Sequence, residues 1–384
     1  MPQPFELAVP DAVLDDLRAR LEATRWPDAI PASGWEYGTD LDFLRELVAY
    51  WARDYDWRTA ERELNRLPHF KAHVGGLGIH FLHQRAATDG ALPIIISHGW
   101  PGSFVEMLPL MPRLTHPERY GGDPRDAFDV VVPSLPGYAF SDRPTAPGMT
   151  KTRIAALWAT LMRDVLGYPR FAARGGDIGA GICAFLALDH PGSVVGIHVS
   201  DTIEPWLGPG SAPLTEAEQL FRRHERAWMY AEGAYDHIQA TKPQTLAYGL
   251  NDSPAGMAAW IVEKLRAWSD CGGDLERRFR RDDVLTHLTI YWVTETINSA
   301  NRLYYDRERE PRRLRPHERV EVPCAVAIFP ADIDHPPREW AERGYRVERW
   351  TAMPRGGHFA AWEEPDLLAS DMRAFFRSLR MLAP

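Results

Sequence analysis

The sequence predicts an α/β fold: a mostly parallel sheet flanked by helices, interrupted once by a helical insertion and preceded by a helical N-terminal extension. Three observations predict it. Short apolar runs at Pro93–Ser97, Asp129–Val132, Phe171–Ala173 and Val194–Val199 read as strands, and helical stretches separate them, the alternation that gives parallel pairing. From about Asp201 to Pro311 strand signals fade into aromatic-rich helical patterns such as Ala258–Val262 and Leu285–Trp292. Strand patterns then return at Val322–Phe329 and Tyr345–Trp350. The implied division is an extension over residues 1–90, a sheet core over 91–205 and 312–384, and an insertion over 206–311.

In the extension, Asp11 is placed to cap a helix whose residues Val13, Leu14, Leu17 and Leu21 share a face. Thr39 and Asp42 resemble a capping box before Leu44, Leu47, Val48 and Trp51 at helical spacing. Trp26, Trp35, Trp51 and Trp57 read as packing anchors. Gly76-Leu77-Gly78 reads as a hairpin turn before the strand Ile79–His83. The chain closes on an amphipathic helix carrying Leu367, Leu368, Met372, Phe375, Phe376 and Leu379.

Bulk properties narrow the function. The chain has 384 residues, 45% of them apolar and 25% charged, which suits a globular protein with one large or two ordinary domains. A net charge of -9 weighs against nucleic acid or an anionic membrane as partner. Cys183, Cys271 and Cys324 are far apart, so neither a disulfide framework nor a thiolate metal site is expected. Met1-Pro2-Gln3-Pro4-Phe5 does not begin a signal peptide and no run is long enough to span a membrane, so the expectation is a soluble cytoplasmic protein.

The chemistry centres on Arg174-Gly175-Gly176-Asp177-Ile178-Gly179-Ala180. A strand precedes it and an apolar helix, Gly179–Leu188, follows. Small residues on both sides of one side chain, between strand and helix, make a nucleophile elbow, the sharp turn of the α/β-hydrolase fold. With Asp177 at the apex the reaction is alkylation of a carboxylate, not acylation of a hydroxyl. A plain helix-capping Asp after a Gly-Gly loop is the competing reading of this segment.

Other positions fit the same site. Ser97-His98-Gly99-Trp100-Pro101-Gly102 follows a strand where α/β-hydrolases build half an oxyanion hole, which would use the backbone N–H groups of Trp100 and Ile178. His358, in Arg355-Gly356-Gly357-His358-Phe359, falls after the last strand, where a general base follows nucleophile and acid in chain order. For the acid, Phe329-Pro330-Ala331-Asp332-Ile333 offers Asp332, with Asp334 and Glu339 as rivals.

With these motifs in order, the chain from about Phe5 to Leu379 resembles the microsomal-type epoxide hydrolase family, in its bacterial branch. The resemblance also rests on Trp57-Arg58, Ile79-His80-Phe81, Pro133-Ser134-Leu135-Pro136-Gly137-Tyr138, Tyr235-Asp236-His237-Ile238-Gln239-Ala240-Thr241-Lys242-Pro243 and Leu250-Asn251-Asp252-Ser253-Pro254. It implies an α/β-hydrolase core, a helical cap and an N-terminal segment that wraps the core. It assigns Asp177 as nucleophile, His358 as base and Asp332 as orienting acid, a position where many members carry glutamate. It adds two cap tyrosines, Tyr235 and Tyr304, the latter beside Tyr305. Trp100 would also touch substrate. The implied substrates are an apolar or aryl epoxide and water, giving a diol, with no cofactor and no metal. The animal members' N-terminal membrane anchor has no counterpart here, and a homodimer is left open. Rival readings are a haloalkane-type dehalogenase, which would hold halide with tryptophan or asparagine N–H groups, and a non-catalytic binding protein. A serine esterase lacks its G-x-S-x-G and a metallohydrolase its H-E-x-x-H.

Overall fold

A computed structural model describes residues 1–382. Its strands are β1 (Gln3–Pro4), β2 (His69–Val74), β3 (Leu77–Gln84), β4 (Leu92–Ser97), β5 (Phe128–Pro133), β6 (Phe171–Gly175), β7 (Val194–Val199), β8 (Val320–Ile328) and β9 (Tyr345–Ala352). They form one sheet in the order β1-β2-β3-β5-β4-β6-β7-β8-β9. From β5 to β9 every pairing is parallel, whereas β1, β2 and β3 make an antiparallel edge. The central strands are apolar on both faces because helices cover both. Ile95, Ala173 and Ile197 face one core with the helices Lys151–Thr160 and Ile178–Asp189. Ile94, Ile96 and Ala172 face the other core with the helix Pro365–Phe376, the alternation a strand imposes. The chain therefore has the α/β-hydrolase fold.

Between β7 and β8 there is no strand among the described residues. The helices Glu216–Glu232, Ala234–Thr241, Pro243–Leu250, Pro254–Ala267, Arg281–Val293 and Ile297–Arg309 fill this span. Loop residues of the core grip them. Ser299 Oγ donates to Gly137 O at 2.5 Å and Tyr138 Oη to Ala300 O at 3.3 Å, so the Pro136-Gly137-Tyr138 turn holds the start of the helix carrying Tyr304. No helix of the described residues is long and apolar enough to cross a membrane.

The N-terminal segment departs from its reading in four places. Asp11 does not cap its helix; Pro10 takes that position and Asp11 pairs instead with Arg58. The next helix, Leu41–Arg53, is capped by Asp40, whose carboxylate accepts from Phe43 N at 2.8 Å, while Thr39 Oγ1 donates to Ala259 O at 2.7 Å. The hairpin turn is Gly75-Gly76, with φ of +57° and +89°, so Leu77 and Gly78 already belong to β3. Helix also ends well before residue 90: the last helix of this segment is Trp57–Leu64, after which β2 and β3 join the sheet. The segment grips the insertion as well as the core. Trp51 Nε1 donates to Thr289 Oγ1 at 3.0 Å, Tyr50 Oη to Asp282 Oδ1 at 3.0 Å, and Arg20 pairs with Asp252 at 2.8 Å.

Behind the sheet edge runs a buried chain of neutral histidines. His69 Nε2 donates to Leu64 O, so its Nδ1 accepts from His80 Nε2 at 2.9 Å, and His80 Nδ1 accepts from Ser134 Oγ at 2.9 Å. Burial lowers the pKa of His69 to about 4, and likewise those of His98 and His287. Between the ordinary value of 6.5 and about 4 the unfolded chain binds protons that the folded chain refuses, so stability is present above pH 6.5 and drains away toward pH 4. The rings of His69, His98 and His287 should therefore stay neutral down to about pH 4, measured by NMR of their ring nitrogens; protonation near pH 6.5 in the folded protein would contradict the neutral network.

Candidate active site

The elbow is set by close contacts that only glycine permits. Asp177 sits at φ +51°, ψ -128°, a conformation costly for a non-glycine residue and held by its surroundings. A Cβ on Gly175 would lie 2.2 Å from Gly179, and one on Gly179 would lie 2.3 Å from Ser97 O. A Cβ on Gly99 would fall 2.0 Å from Asp177 Oδ1. The carboxylate thus lies against the backbone after β4, where Trp100 N donates to Oδ1 at 2.9 Å. Ile178 opens the following helix, where first-turn N–H groups lack helical acceptors.

That backbone is braced from two sides. His98 Nδ1 donates to Gly99 O at 3.0 Å while its Nε2 accepts from Leu135 N at 3.2 Å. From the insertion, His287 Nε2 donates to Pro101 O at 2.8 Å and Tyr291 Oη donates to Gly102 O at 2.9 Å, while Ser103 Oγ of the braced loop donates to His287 Nδ1 at 2.9 Å.

His358 approaches from the loop after β9. Gly356 has φ +102°, and a Cβ on Gly357 would lie 2.6 Å from Trp268 O, so both glycines are required for the turn. His358 N donates to that same Trp268 O at 2.8 Å, and Glu363 accepts from the backbone of Gly357 and Phe359. The imidazole donates through Nδ1 to Asp332 Oδ1 at 2.7 Å and presents Nε2 to Asp177 Oδ2 at 3.7 Å. Burial lowers the His358 pKa, but the charge of Asp332 and the hydrogen bond to it, with Asp177 and Glu106, outweigh burial and raise it to about 10. Asp334 makes no bond to the ring; burial and the neighbouring Asp332 raise it to about 6. Glu339 lies on the helix Arg338–Gly344 and accepts from Thr215 Oγ1.

Against Trp100 stand aromatic rings from the insertion. Tyr235 stacks on Trp100 with centroids 5.1 Å apart and 7° between planes, and Tyr304 meets Tyr235 at 6.1 Å and Trp100 at 5.9 Å. Burial, then the Asp177 charge among others, raises both phenols above their ordinary range. The two tyrosine helices are locked by Arg307, whose guanidinium reaches both carboxylate oxygens of Asp236 at 2.9 and 2.8 Å. Tyr305 points elsewhere, under the Arg309 guanidinium and along an outer cavity with Lys242. The structure thus brings Asp177, His358, Asp332, Tyr235, Tyr304, Trp100 and Ile178 together, and leaves Asp334, Glu339 and Tyr305 outside the direct contacts.

Four neighbours were not legible as site residues. Trp268 packs against His358 and Tyr235 with centroids 5.2 and 5.1 Å apart. Asn301 accepts from Trp100 Nε1 at 3.1 Å. Arg174 and Glu106 line the same small cavity as Asp177 and His358. Glu106 alone carried a signal: it is an acid within the otherwise apolar run Phe104–Leu110.

Comparisons with known proteins agree with this fold. Residues 2–107 match the family described as "Epoxide hydrolase N terminus", and residues 93–254 match "alpha/beta hydrolase fold". The chain is 43% identical to a protein of Stigmatella aurantiaca provisionally named an epoxide hydrolase, over 98% of this chain and 85% of that one. It is 36% identical to epoxide hydrolase 1 of Sus scrofa, over 97% of this chain and 88% of that one. The crystal structure of juvenile hormone epoxide hydrolase from Bombyx mori superposes with a TM-score of 0.88 at 30% identity, covering 100% of this chain and 96% of that one. Fold and site define an α/β-hydrolase, and within that class the chain belongs to the epoxide hydrolase family.

The Asp332 contact has a direct readout. Asp332→Asn should drop the His358 pKa below its value of about 10, followed by NMR of the ring nitrogens. An unchanged titration would show that Asp332 is not what holds the imidazolium proton.

Proposed function

We propose that the chain opens an apolar or aryl epoxide with the Asp177 carboxylate and hydrolyses the resulting ester to a vicinal diol. One observation carries this reading: the Asp177 carboxylate lies between the Trp100 N–H and His358 Nε2, and its charge is felt by both phenols of the Tyr235–Tyr304 pair. Attack by a carboxylate oxygen forms a C–O bond at one ring carbon and breaks the opposite C–O bond. The leaving oxygen takes a proton from a tyrosine, a donor that its raised pKa keeps neutral until the alkoxide forms. Trp100, Tyr235 and Trp268, packed against one another, make the surroundings of the site aromatic and apolar, which suits an apolar substituent.

Alkylation neutralises Asp177 and removes one of the charges that hold the imidazolium proton. The imidazolium proton passes to the tyrosinate left by ring opening. Neutral His358 then accepts a proton from water as it attacks the ester carbonyl, with Asp332 supporting the returning positive charge. Trp100 N–H and Ile178 N–H would stabilise the oxyanion, one such donor contributing about 3 kcal/mol. In this reading residues 206–311 are the cap that brings the tyrosines, and the three buried free cysteines suit a reducing, cytoplasmic setting. The dehalogenase reading asks for free tryptophan or asparagine N–H groups at the leaving group. That of Trp100 is engaged by Asn301, whereas Trp268 Nε1 and Asn301 Nδ2 have no partner among the described residues. The Tyr235–Tyr304 pair, which a dehalogenase does not need, is what favours the epoxide.

Tyr235→Phe and Tyr304→Phe separate the two half-reactions. In rapid-quench experiments with an aryl epoxide, each should slow ester formation on the order of 100-fold. Ester hydrolysis should change far less. Equal slowing of both steps would remove the tyrosines as acids for ring opening.

A further inference from the structure

Beside Asp177 and His358 lies a cavity of about 20 Å³, room for a single water molecule. Its polar lining includes Asp177, His358, Arg174 and Glu106. Glu106 sits on the short helical turn Phe104–Met107, which Ser103 caps by accepting from Val105 N. The residue is only 8% exposed, yet its carboxyl group makes no hydrogen bond or ion pair with any described residue. A buried carboxyl without a partner is costly, and here its open side is the water-sized space. The sequence makes room for it: a Cβ on Gly102 would fall 2.4 Å from Glu106 Oε2. Gly99 and Gly102 of the same motif thus each make way for one carboxyl group, the first for Asp177 and the second for Glu106. Burial, with Asp177 and Glu363, raises the Glu106 pKa to about 8 against the opposing charges of His358 and Arg174.

We infer that Glu106 is a positioning residue for the hydrolytic water, which it holds against His358 in the cavity beside Asp177. The inference rests on the ester pathway proposed above. An attacking water must give one proton to His358 Nε2 and aim a lone pair at the ester carbonyl carbon, which leaves its second O–H to be fixed by an acceptor. Protonated or ionised, Glu106 supplies such an oxygen. The new C–O bond forms from that water as its proton moves to His358. The ester C–O bond then breaks, the departing alcohol oxygen takes that proton from His358, and the Asp177 carboxyl group gives its own proton to the imidazole, restoring the resting pair. Ring opening needs no water, so Glu106 bears on the second half-reaction alone.

The test compares wild type, Glu106→Gln and Glu106→Met in single turnovers with styrene oxide, following the Asp177 adduct by intact mass. Glu106→Met keeps the volume and removes the acceptor; its ester should form within about threefold of the wild-type rate and decay on the order of 100-fold more slowly, the effect of a misplaced reactant. Glu106→Gln retains an acceptor oxygen and should restore most of the decay rate. Unchanged ester decay in Glu106→Met, or equal slowing of formation and decay in both variants, would overturn the assignment. Absence of any Asp177 ester in wild type and both variants would overturn the ester pathway itself, and this inference with it.

Discussion

The approach of the Asp177 side chain to the backbone of Gly99 and Trp100 is the contact on which the rest of the site depends. It requires a strained backbone at Asp177, glycine at positions 99, 175 and 179, and two strand ends set side by side. β4 and β6 are direct neighbours in the sheet, with Ser97 registered on Gly175, so the two loops leave the sheet together. The strain is borne by burial: Ile96, Ala172 and Ala173 are at most 1% exposed, and the strand ends they fix leave the elbow little room to relax. Held this way, the carboxylate meets its N–H donor before any substrate arrives. Such preorganisation costs nothing at the moment of reaction.

The insertion does more than roof the site. Through His287 and Tyr291 it buttresses the loop that carries Trp100 and Ser103, and through Trp268 O it fixes the backbone of His358. The N-terminal segment in turn grips the same insertion helices through Trp51, Tyr50 and Thr39. Extension, insertion and core therefore form a closed loop of support. A substitution at Thr289 or Asp282, far along the chain from Asp177, can reach the chemistry by loosening that loop.

Much of this was legible in the sequence, for physical reasons. Strands β4 to β8 announced themselves because both faces are largely buried and their runs are mostly apolar, whereas β9 is partly exposed and showed only through its apolar positions Tyr345, Val347 and Trp350. The elbow was legible because close backbone approach demands glycine, and glycine spacing survives in the sequence. What failed were local caps and turn registers. Asp11 and Thr39 have the right chemistry for capping, but Pro10 and Asp40 take those positions while Asp11 and Thr39 bond to distant partners, Arg58 and Ala259. The spacing Gly76-Leu77-Gly78 misplaced a turn that two positive-φ residues, Gly75 and Gly76, define. Trp268 was invisible because it acts through tertiary contact across the site; Asn301 stands one helical turn before Tyr304, but its bond to Trp100 is likewise tertiary and no local pattern shows it. The choice among Asp332, Asp334 and Glu339 could not be made from a loop; it took the 2.7 Å contact with His358.

The central claim is that Asp177 takes up the substrate carbon covalently and that His358 is needed only afterwards. The most direct measurement is the intact mass of a His358→Gln variant mixed with a small aryl epoxide and, separately, with the corresponding alkyl halide. A stable gain equal to the whole epoxide mass, mapped to Asp177, is the expected result. An adduct from the halide alone, or an epoxide adduct on any residue other than Asp177, would contradict the account.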